Sequence, residues 1–457
     1  MKIIFLKKAG RGVAKILITN KDETEVLVMS DFSKIISLGI GKKEKFNRRK
    51  LILAARKIIC LSKSNKIKKI AVDFNDFPLL RPGIKNKEIA EILAINFEMA
   101  NFEFVKYKSR PKEGFNFIEE IQIINGNNEE IKSGFRKGQI IGEEINGCRS
   151  LANTPGGEMT PTVLANEAKK VAGKYGVKVK VFNKKEIEKL KMGGVSGVSK
   201  GSSEEPKFIV MEYLKGGKEK PIVLVGKGVT FDSGGLNLKP SDSMLEMHMD
   251  MSGGAAVIHA LSLAGRLKLK KNIIGLVPAV ENMPSGESYR PGDILKTMSG
   301  KTIEVLNTDA EGRVILSDAL TYAKKYNPRL VVDVATLTGA AMSALGLRAS
   351  ALFTKDEKLE KLFRELGEES GDYVWPLPLW EEYEEDIKGT FGDIINTGKT
   401  RYGGAILGAI FLYQFAKDYP WVHIDIAPRM TSIEGEYLSK GAIGTPVRLL
   451  IKLLEKF

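Results

Sequence analysis

Short runs of apolar, often β-branched residues recur along the chain and alternate with stretches of helical spacing. In the first third of the chain the apolar runs cover residues 16–19, 70–73 and 121–124, and residues 87–101 have the period of an amphipathic helix. Later runs cover 208–214, 221–226, 272–280, 330–336 and 421–426. Continuous apolar runs of this length are typical of buried strands with helices on both faces. The pattern therefore predicts an α/β fold.

A helical run from about 129 to 152 follows the turn-like residues 125–128 and predicts a helix that links two domains. The length of 457 residues also exceeds that of a common single domain. We expect an N-terminal basic α/β domain over 1–145 and a larger C-terminal domain over 146–457, each a mainly buried sheet flanked by helices. Thr160 and Pro161 predict the start of a helix that continues to about residue 175.

Charge is unevenly distributed. Residues 1–150 contain 30 Lys and Arg against 18 Asp and Glu, whereas the remainder contains 41 against 38. The basic residues cluster at 42–50 and 63–69, which is explained by a solvated surface or by a patch for nucleic acid or another polyanion. Two cysteines and the lack of a long apolar stretch predict a cytoplasmic protein with no membrane association.

Nearly every apolar run of the C-terminal domain ends in small or polar residues, and ligands in α/β sheets bind at these strand ends. Four segments carry candidate chemistry: 227–235, Lys239-Pro240, 248–251 and 307–313. Each also has a structural explanation, as a turn, an exposed loop or charge near a helix start. For Thr308 and Glu311 this alternative is a capping box. If the segment before the helix is instead extended, alternate residues face the same way, and Asp309, Glu311 and Arg313 lie on one side.

The residue types favour a metal centre. The three histidines have no zinc-site spacing, so oxygen ligands must dominate. A pair of hard divalent ions needs several carboxylates, and Asp232, Asp250, Asp309 and Glu311 supply four. Lys227 could join them only as a neutral amine, which requires burial and adjacent dications to lower its pKa.

The segment Asn307-Thr-Asp-Ala-Glu-Gly-Arg313 and its spacing to 226–235, 282–284, 289–293, 333–339 and 153–155 resemble the cytosolic leucyl aminopeptidase family over residues 145–457. The resemblance implies a catalytic metallopeptidase domain at 146–457. It would hydrolyse leucine-like N-terminal residues from short peptides that have a free N-terminus, by a metal-bridged water. It also implies a homohexamer and two divalent ions, Mn²⁺ or Zn²⁺, with Mg²⁺ and Co²⁺ as alternatives.

The same resemblance implies roles for individual residues. Asp232 and Glu311 would bridge both ions, Asp309 would complete one site, and Lys227 and Asp250 would complete the other. Lys239 would point at the substrate carbonyl, and Arg313 would hold bicarbonate as general base. The residues implied to line the substrate pocket are Met247, Thr336, Leu337, Gly339 and Ala427.

Two other functions are compatible with the sequence. The basic N-terminal domain could make the protein a nucleic-acid-binding regulator, but complete metal ligands would then have no purpose. An ADP-ribose-like ligand for residues 1–145 rests on fold analogy alone. The enzyme is the favoured interpretation.

Overall fold

The computed structural model describes residues 1–29, 34–42, 45–77 and 84–457. The chain forms two compact units: an N-terminal unit of residues 1–146 with 432–440, and a C-terminal unit of residues 147–431 with 441–457. The sequence pattern did not assign 432–440 to the first unit. Residues 43 and 44 of the basic cluster at 42–50 lie outside the described residues.

The N-terminal unit contains a six-stranded sheet in the order β1-β6-β5-β2-β4-β3. All neighbours are parallel except β3 and β4. Its strands are β1 Lys2–Leu6, β2 Ala14–Thr19, β3 Glu25–Val28, β4 Lys34–Gly39, β5 Lys69–Asp73 and β6 Glu120–Ile124.

One helix of this unit, α2, corresponds to the helix predicted at 87–101, whereas α1 was not predicted. Helix α1 covers Arg48–Ser64 and α2 covers Asn86–Asn101, and their apolar faces pack with the central strands into one core. The Asn47 side chain caps α1 by accepting a hydrogen bond from Lys50 N at 3.0 Å. Helix α3, Glu129–Ala152, matches the predicted linker helix, and the chain passes from the first unit to the second within it.

The C-terminal unit is built on a nine-stranded sheet in the order β16-β15-β18-β14-β9-β11-β8-β7, with β10 also paired to β11. A separate three-stranded sheet has the order β12-β13-β17. The strands are β7 Lys178–Phe182, β8 Lys207–Leu214, β9 Ile222–Gly226, β10 Gly228–Asp232, β11 Asn272–Asn282, β12 Ile294–Lys296, β13 Thr302–Glu304, β14 Leu330–Ala335, β15 Ser350–Phe353, β16 Val374–Pro376, β17 Ile394–Ile395 and β18 Trp421–Asp425.

Helices surround this sheet. They are α4 Pro161–Gly173, α5 Lys184–Lys189, α6 Gly193–Val198, α7 Ser241–Met244, α8 Ser252–Arg266, α9 Glu311–Ala323, α10 Gly339–Leu345, α11 Glu357–Ser370, α12 Gly404–Ala416 and α13 Val447–Lys456. As predicted, Thr160 caps α4 and Pro161 occupies its first turn. Within the described residues, no helix combines the length and apolar composition needed to cross a membrane.

The central strands position the chemistry. Neighbours β18, β14, β9 and β11 are all parallel, as is β10 to β11, so their carboxyl ends lie along one edge. Strands β9, β14 and β18 are buried along their whole length, which explains their continuous apolar sequences. The prediction of an α/β fold with two domains and buried, helix-flanked sheets is confirmed.

Candidate metal centre

Lys227 follows β9 directly and lies in the interior, with 3% of its surface exposed. Its Nζ lies 2.8 Å from Asp250 Oδ2 and 2.8 Å from Glu311 Oε1, and it donates a hydrogen bond to Thr336 O at 3.0 Å. A Cβ atom at Gly312 would lie 2.7 Å from this Nζ. A larger residue in this first turn of α9 would force the Lys227 side chain to move.

Lys239, in the loop before α7, forms a second bridge between acidic groups. Its Nζ lies 2.8 Å from Asp232 Oδ2 and 2.5 Å from Asp309 Oδ1. Two lysines thus contact all four of the carboxylates that the sequence singles out. If every group is ionised, the cluster has two more negative than positive charges.

Three of the acidic residues, Asp232, Asp309 and Glu311, each offer an oxygen atom within 4.8 Å of the others. Other contacts orient the carboxylates: Asn282 Nδ2 donates to Asp232 Oδ1 at 2.8 Å, and Thr336 Oγ1 donates to Asp250 Oδ1 at 2.6 Å. Such supporting hydrogen bonds are typical of groups that ligate metals.

The remaining oxygens have a different environment. Asp250 Oδ2, Asp309 Oδ1 and Glu311 Oε1 are buried, and each lies 2.5–2.8 Å from a lysine ammonium group. Two ammonium groups do not balance four clustered carboxylates, and buried charge without full compensation is costly. Because hard divalent cations prefer oxygen ligands, the donor set fits such ions.

Burial and mutual repulsion perturb these groups. Burial raises the pKa of Glu311, Asp250 and Asp309 above the ordinary carboxyl range, and the Asp232 carboxylate adds to each shift. Burial alone would lower the pKa of Lys227, but attraction to Asp250, Glu311 and Asp232 outweighs it and raises the pKa. A neutral Lys227 therefore needs the positive charge of adjacent dications, and burial alone does not produce it.

Two sequence interpretations of the segment 307–313 are wrong. Helix α9 begins at Glu311 with Ala310 at its N-cap and no side-chain cap, so Thr308 and Glu311 form no capping box. Thr308 Oγ1 instead donates to Gly234 O at 2.6 Å and so fixes the neighbouring loop. The segment is also not extended, because Asp309 lies in a turn and both Glu311 and Arg313 lie within the first turn of α9.

Arg313 is buried, with 7% of its surface exposed, and in the described part of the chain it forms no hydrogen bond or ion pair. Burial lowers its pKa to about 10, while Glu311 and Asp425 oppose the shift electrostatically, so the side chain remains cationic at neutral pH. An unpaired buried guanidinium group is a strong candidate for binding an anion.

Comparison with known proteins matches this geometry to a family. The model of the "Cytosol aminopeptidase family, catalytic domain" matches residues 146–451, and that of the family's N-terminal domain matches residues 19–111. The chain belongs to the cytosol aminopeptidase family. The "Probable cytosol aminopeptidase" of Methylobacillus flagellatus is 40% identical over 427 residues, covering 93% of this chain and 85% of that protein. That of Syntrophotalea carbinolica is 42% identical over 397 residues, covering 86% and 79%.

Solved structures agree with this assignment to the cytosol aminopeptidase family. The "Bottromycin maturation enzyme BotP" is 30% identical with a TM-score of 0.87, covering 96% of this chain and 98% of that one. The structure titled as that enzyme in complex with Mn is 31% identical with a TM-score of 0.86, covering 97% and 98%. The fold is thus shared with these solved structures.

The candidate substrate residues of this family member lie on three short segments. Met247 begins the 3₁₀ helix Met247–Met249, three residues before Asp250, and is partly buried. Thr336 and Leu337 follow β14, and exposed Gly339 begins α10. Ala427 begins the 3₁₀ helix Ala427–Arg429 after β18.

Asp425, the last residue of β18, connects two of these segments and received no role from the sequence. Its Oδ1 accepts hydrogen bonds from Leu337 N at 3.0 Å and Ala427 N at 3.1 Å. Its Oδ2 accepts from Thr338 N at 3.0 Å and Thr338 Oγ1 at 2.8 Å. The sequence does contain a signal for Asp425: it is a carboxylate at the end of an apolar strand. A buried carboxylate needs hydrogen-bond donors from neighbouring segments.

Proposed function

We propose that this protein is a two-metal aminopeptidase that removes leucine-like N-terminal residues from short peptides. Membership of the cytosol aminopeptidase family supports a metal-dependent aminopeptidase. The observation that carries the proposal is the cluster of four carboxylates paired with two lysines, which leaves an excess of negative charge for metal ions to balance. A homohexameric assembly and a cytoplasmic location remain predictions.

Five side chains would hold the ions. In the proposal Asp232 and Glu311 would contact both, Asp309 would complete one site, and Lys227 and Asp250 would complete the other. When bound, the ions supply Lewis-acid activation of water and of the scissile carbonyl. Mn²⁺ is one candidate because a solved relative is titled as a complex with Mn; Zn²⁺, Mg²⁺ and Co²⁺ are the others.

Other side chains of the protein would bind the substrate and assist proton transfer. The Lys239 ammonium group can donate a hydrogen bond to the substrate carbonyl oxygen and stabilise negative charge that develops there. Arg313 would hold a bicarbonate ion, whose planar oxygens suit a guanidinium fork and which could accept a proton from the attacking water. Met247, Thr336, Leu337, Gly339 and Ala427 would form the pocket for the first residue of the peptide.

The test is to remove metal from the purified protein and restore Mn²⁺, Zn²⁺, Mg²⁺ and Co²⁺ separately. Elemental analysis should find two ions per chain, and leucyl amide should be hydrolysed faster than glycyl or aspartyl amide. N-acetylated peptides should resist cleavage, because a free amino terminus is required. Cleavage of blocked peptides, or one ion at saturation, would contradict the proposal. Binding of duplex DNA without peptide hydrolysis would support the regulator instead, which the family comparisons do not favour.

A further inference from the structure

The N-terminal unit has a cavity of about 430 Å³ between the end of β4 and helix α1. It is lined entirely by residues of this unit, including Tyr437 from the segment 432–440. This volume lies within the range of about 300–1,000 Å³ found for small-molecule sites. Nothing in the proposed peptidase chemistry uses this cavity or the basic excess of the N-terminal third.

Four lysines line the cavity: Lys42, Lys45, Lys50 and Lys57. The only acidic side chain among its described lining residues is Asp22. None of the four lysines forms an ion pair within the described parts of the chain; Lys57 donates one hydrogen bond, to Thr24 Oγ1 at 2.8 Å. Converging like charges repel, so a fold gains nothing from them by itself. An anion in the cavity would turn this repulsion into attraction.

Helix α1 presents the lysines together with apolar surface. Lys50, Leu53, Ala54 and Lys57 have the spacing of one helix face, and all four line the cavity. Leu38 and Phe46 add buried apolar side chains to the lining, and Tyr437 adds an aromatic ring. The lining therefore has a strongly cationic part beside an apolar and aromatic part.

We propose that this cavity binds a small organic di- or triphosphate, in which the lysines contact the phosphates and the apolar lining holds the organic moiety. Lysine is suited to phosphate as a compact charge with several donors. An apolar moiety distinguishes this ligand from inorganic phosphate. The site is independent of the proposed peptidase function.

The experiment is calorimetric titration of the full-length protein, as purified, with ADP, ATP and inorganic pyrophosphate. ADP or ATP should bind with a dissociation constant below about 1 mM. The double variant Lys50→Gln/Lys57→Gln should bind at least about tenfold more weakly, because two charge-assisted contacts are lost. The matched control Lys108→Gln/Lys112→Gln removes the same charge from exposed positions that do not line the cavity, and should bind like wild type.

Thermal melting and peptide turnover check that each variant is folded. A second pair, Lys42→Gln/Lys45→Gln, alters only exposed side chains and should also weaken binding without lowering stability. The proposal is overturned if no nucleotide binds, if the cavity and control variants lose affinity equally, or if pyrophosphate binds as tightly as ADP. Duplex DNA that binds where ADP does not would likewise overturn it in favour of a nucleic-acid surface.

Discussion

Replacing Asp425 by Asn tests whether this side chain positions the proposed substrate pocket. Asparagine keeps the shape of the carboxylate, and its Oδ1 can still accept the hydrogen bonds from Leu337 N and Ala427 N. Its Nδ2 would instead face Thr338 N and Thr338 Oγ1, which are both donors to the carboxylate. The hydroxyl can rotate to accept, but the backbone N–H cannot, so one buried donor is left without an acceptor.

The magnitude follows from these contacts. Losing one hydrogen bond to a charged acceptor costs about 1.5–3 kcal/mol, and neutralising the acceptor weakens the others by about 0.5–1 kcal/mol each. Asp425 is fully buried and burial raises its pKa, so removing the charge recovers part of this cost. We expect a net loss of about 2–4 kcal/mol of unfolding free energy.

Activity should change in a distinctive way. The Asn side chain can no longer fix both segments, so the pocket should become displaced and KM for leucyl substrates should rise by about 10- to 100-fold. Metal content should not change, because the groups that donate hydrogen bonds to Asp425 belong to Leu337, Thr338 and Ala427, which are not proposed metal ligands. Steady-state kinetics on leucyl amides, elemental analysis and denaturant unfolding measure the three quantities.

Asp333→Asn is the matched control. Asp333 is equally buried, lies on the neighbouring strand β14, and accepts a hydrogen bond from Trp421 Nε1 at 2.6 Å. Its other oxygen lies 2.6 Å from His423 Nδ1. This variant should lose stability and leave KM near the wild-type value. If Asp425→Asn loses only stability and binds substrate as the control does, the positioning role is refuted.

Three further substitutions test the metal centre. Lys227→Arg keeps the positive charge but cannot ligate as a neutral amine, so metal stoichiometry and turnover should both collapse; wild-type values would disprove the ligand role. Glu311→Ala should abolish two-metal occupancy and nearly all activity while the chain still folds, and thermal melting should show a lower melting temperature, because Lys227 loses a buried ion-pair partner. Arg313→Ala should retain both metals but lower kcat by about 10²–10⁴-fold, the range for losing a general base. Bicarbonate added to carbonate-depleted buffer should accelerate the wild type and not the variant. Equal acceleration of both proteins would show that Arg313 does not hold the base.

Much of the fold could be predicted from the sequence because its central strands are buried on both faces. The apolar runs at 208–214 and 330–336 correspond to β8 and β14, and the predicted linker helix corresponds to α3. Strand ends also indicated where the chemistry lies, since parallel neighbours terminate at one edge.

Elements that depend on distant partners could not be predicted. Strand β17 has two residues and exists only because it pairs with β13, ninety residues earlier in the chain. Strand β10 begins one residue after β9 ends, with Lys227 between them, and it pairs with β11. The apolar pattern does not show that two separate strands lie here. The position of 432–440 in the N-terminal unit likewise reflects contacts between residues far apart in sequence.

The same limit explains which parts of the candidate site were missed. A charged residue at the end of a buried strand has no local means of satisfying its charge, so Lys227 and Asp425 must find their partners elsewhere in the chain. Which partners they find depends on the order of strands in the sheet. Because β14 lies between β9 and β18, the loop after β14 meets Lys227 on one side, through Thr336 O, and Asp425 on the other, through Leu337 N. One loop therefore connects the proposed metal centre to the proposed pocket.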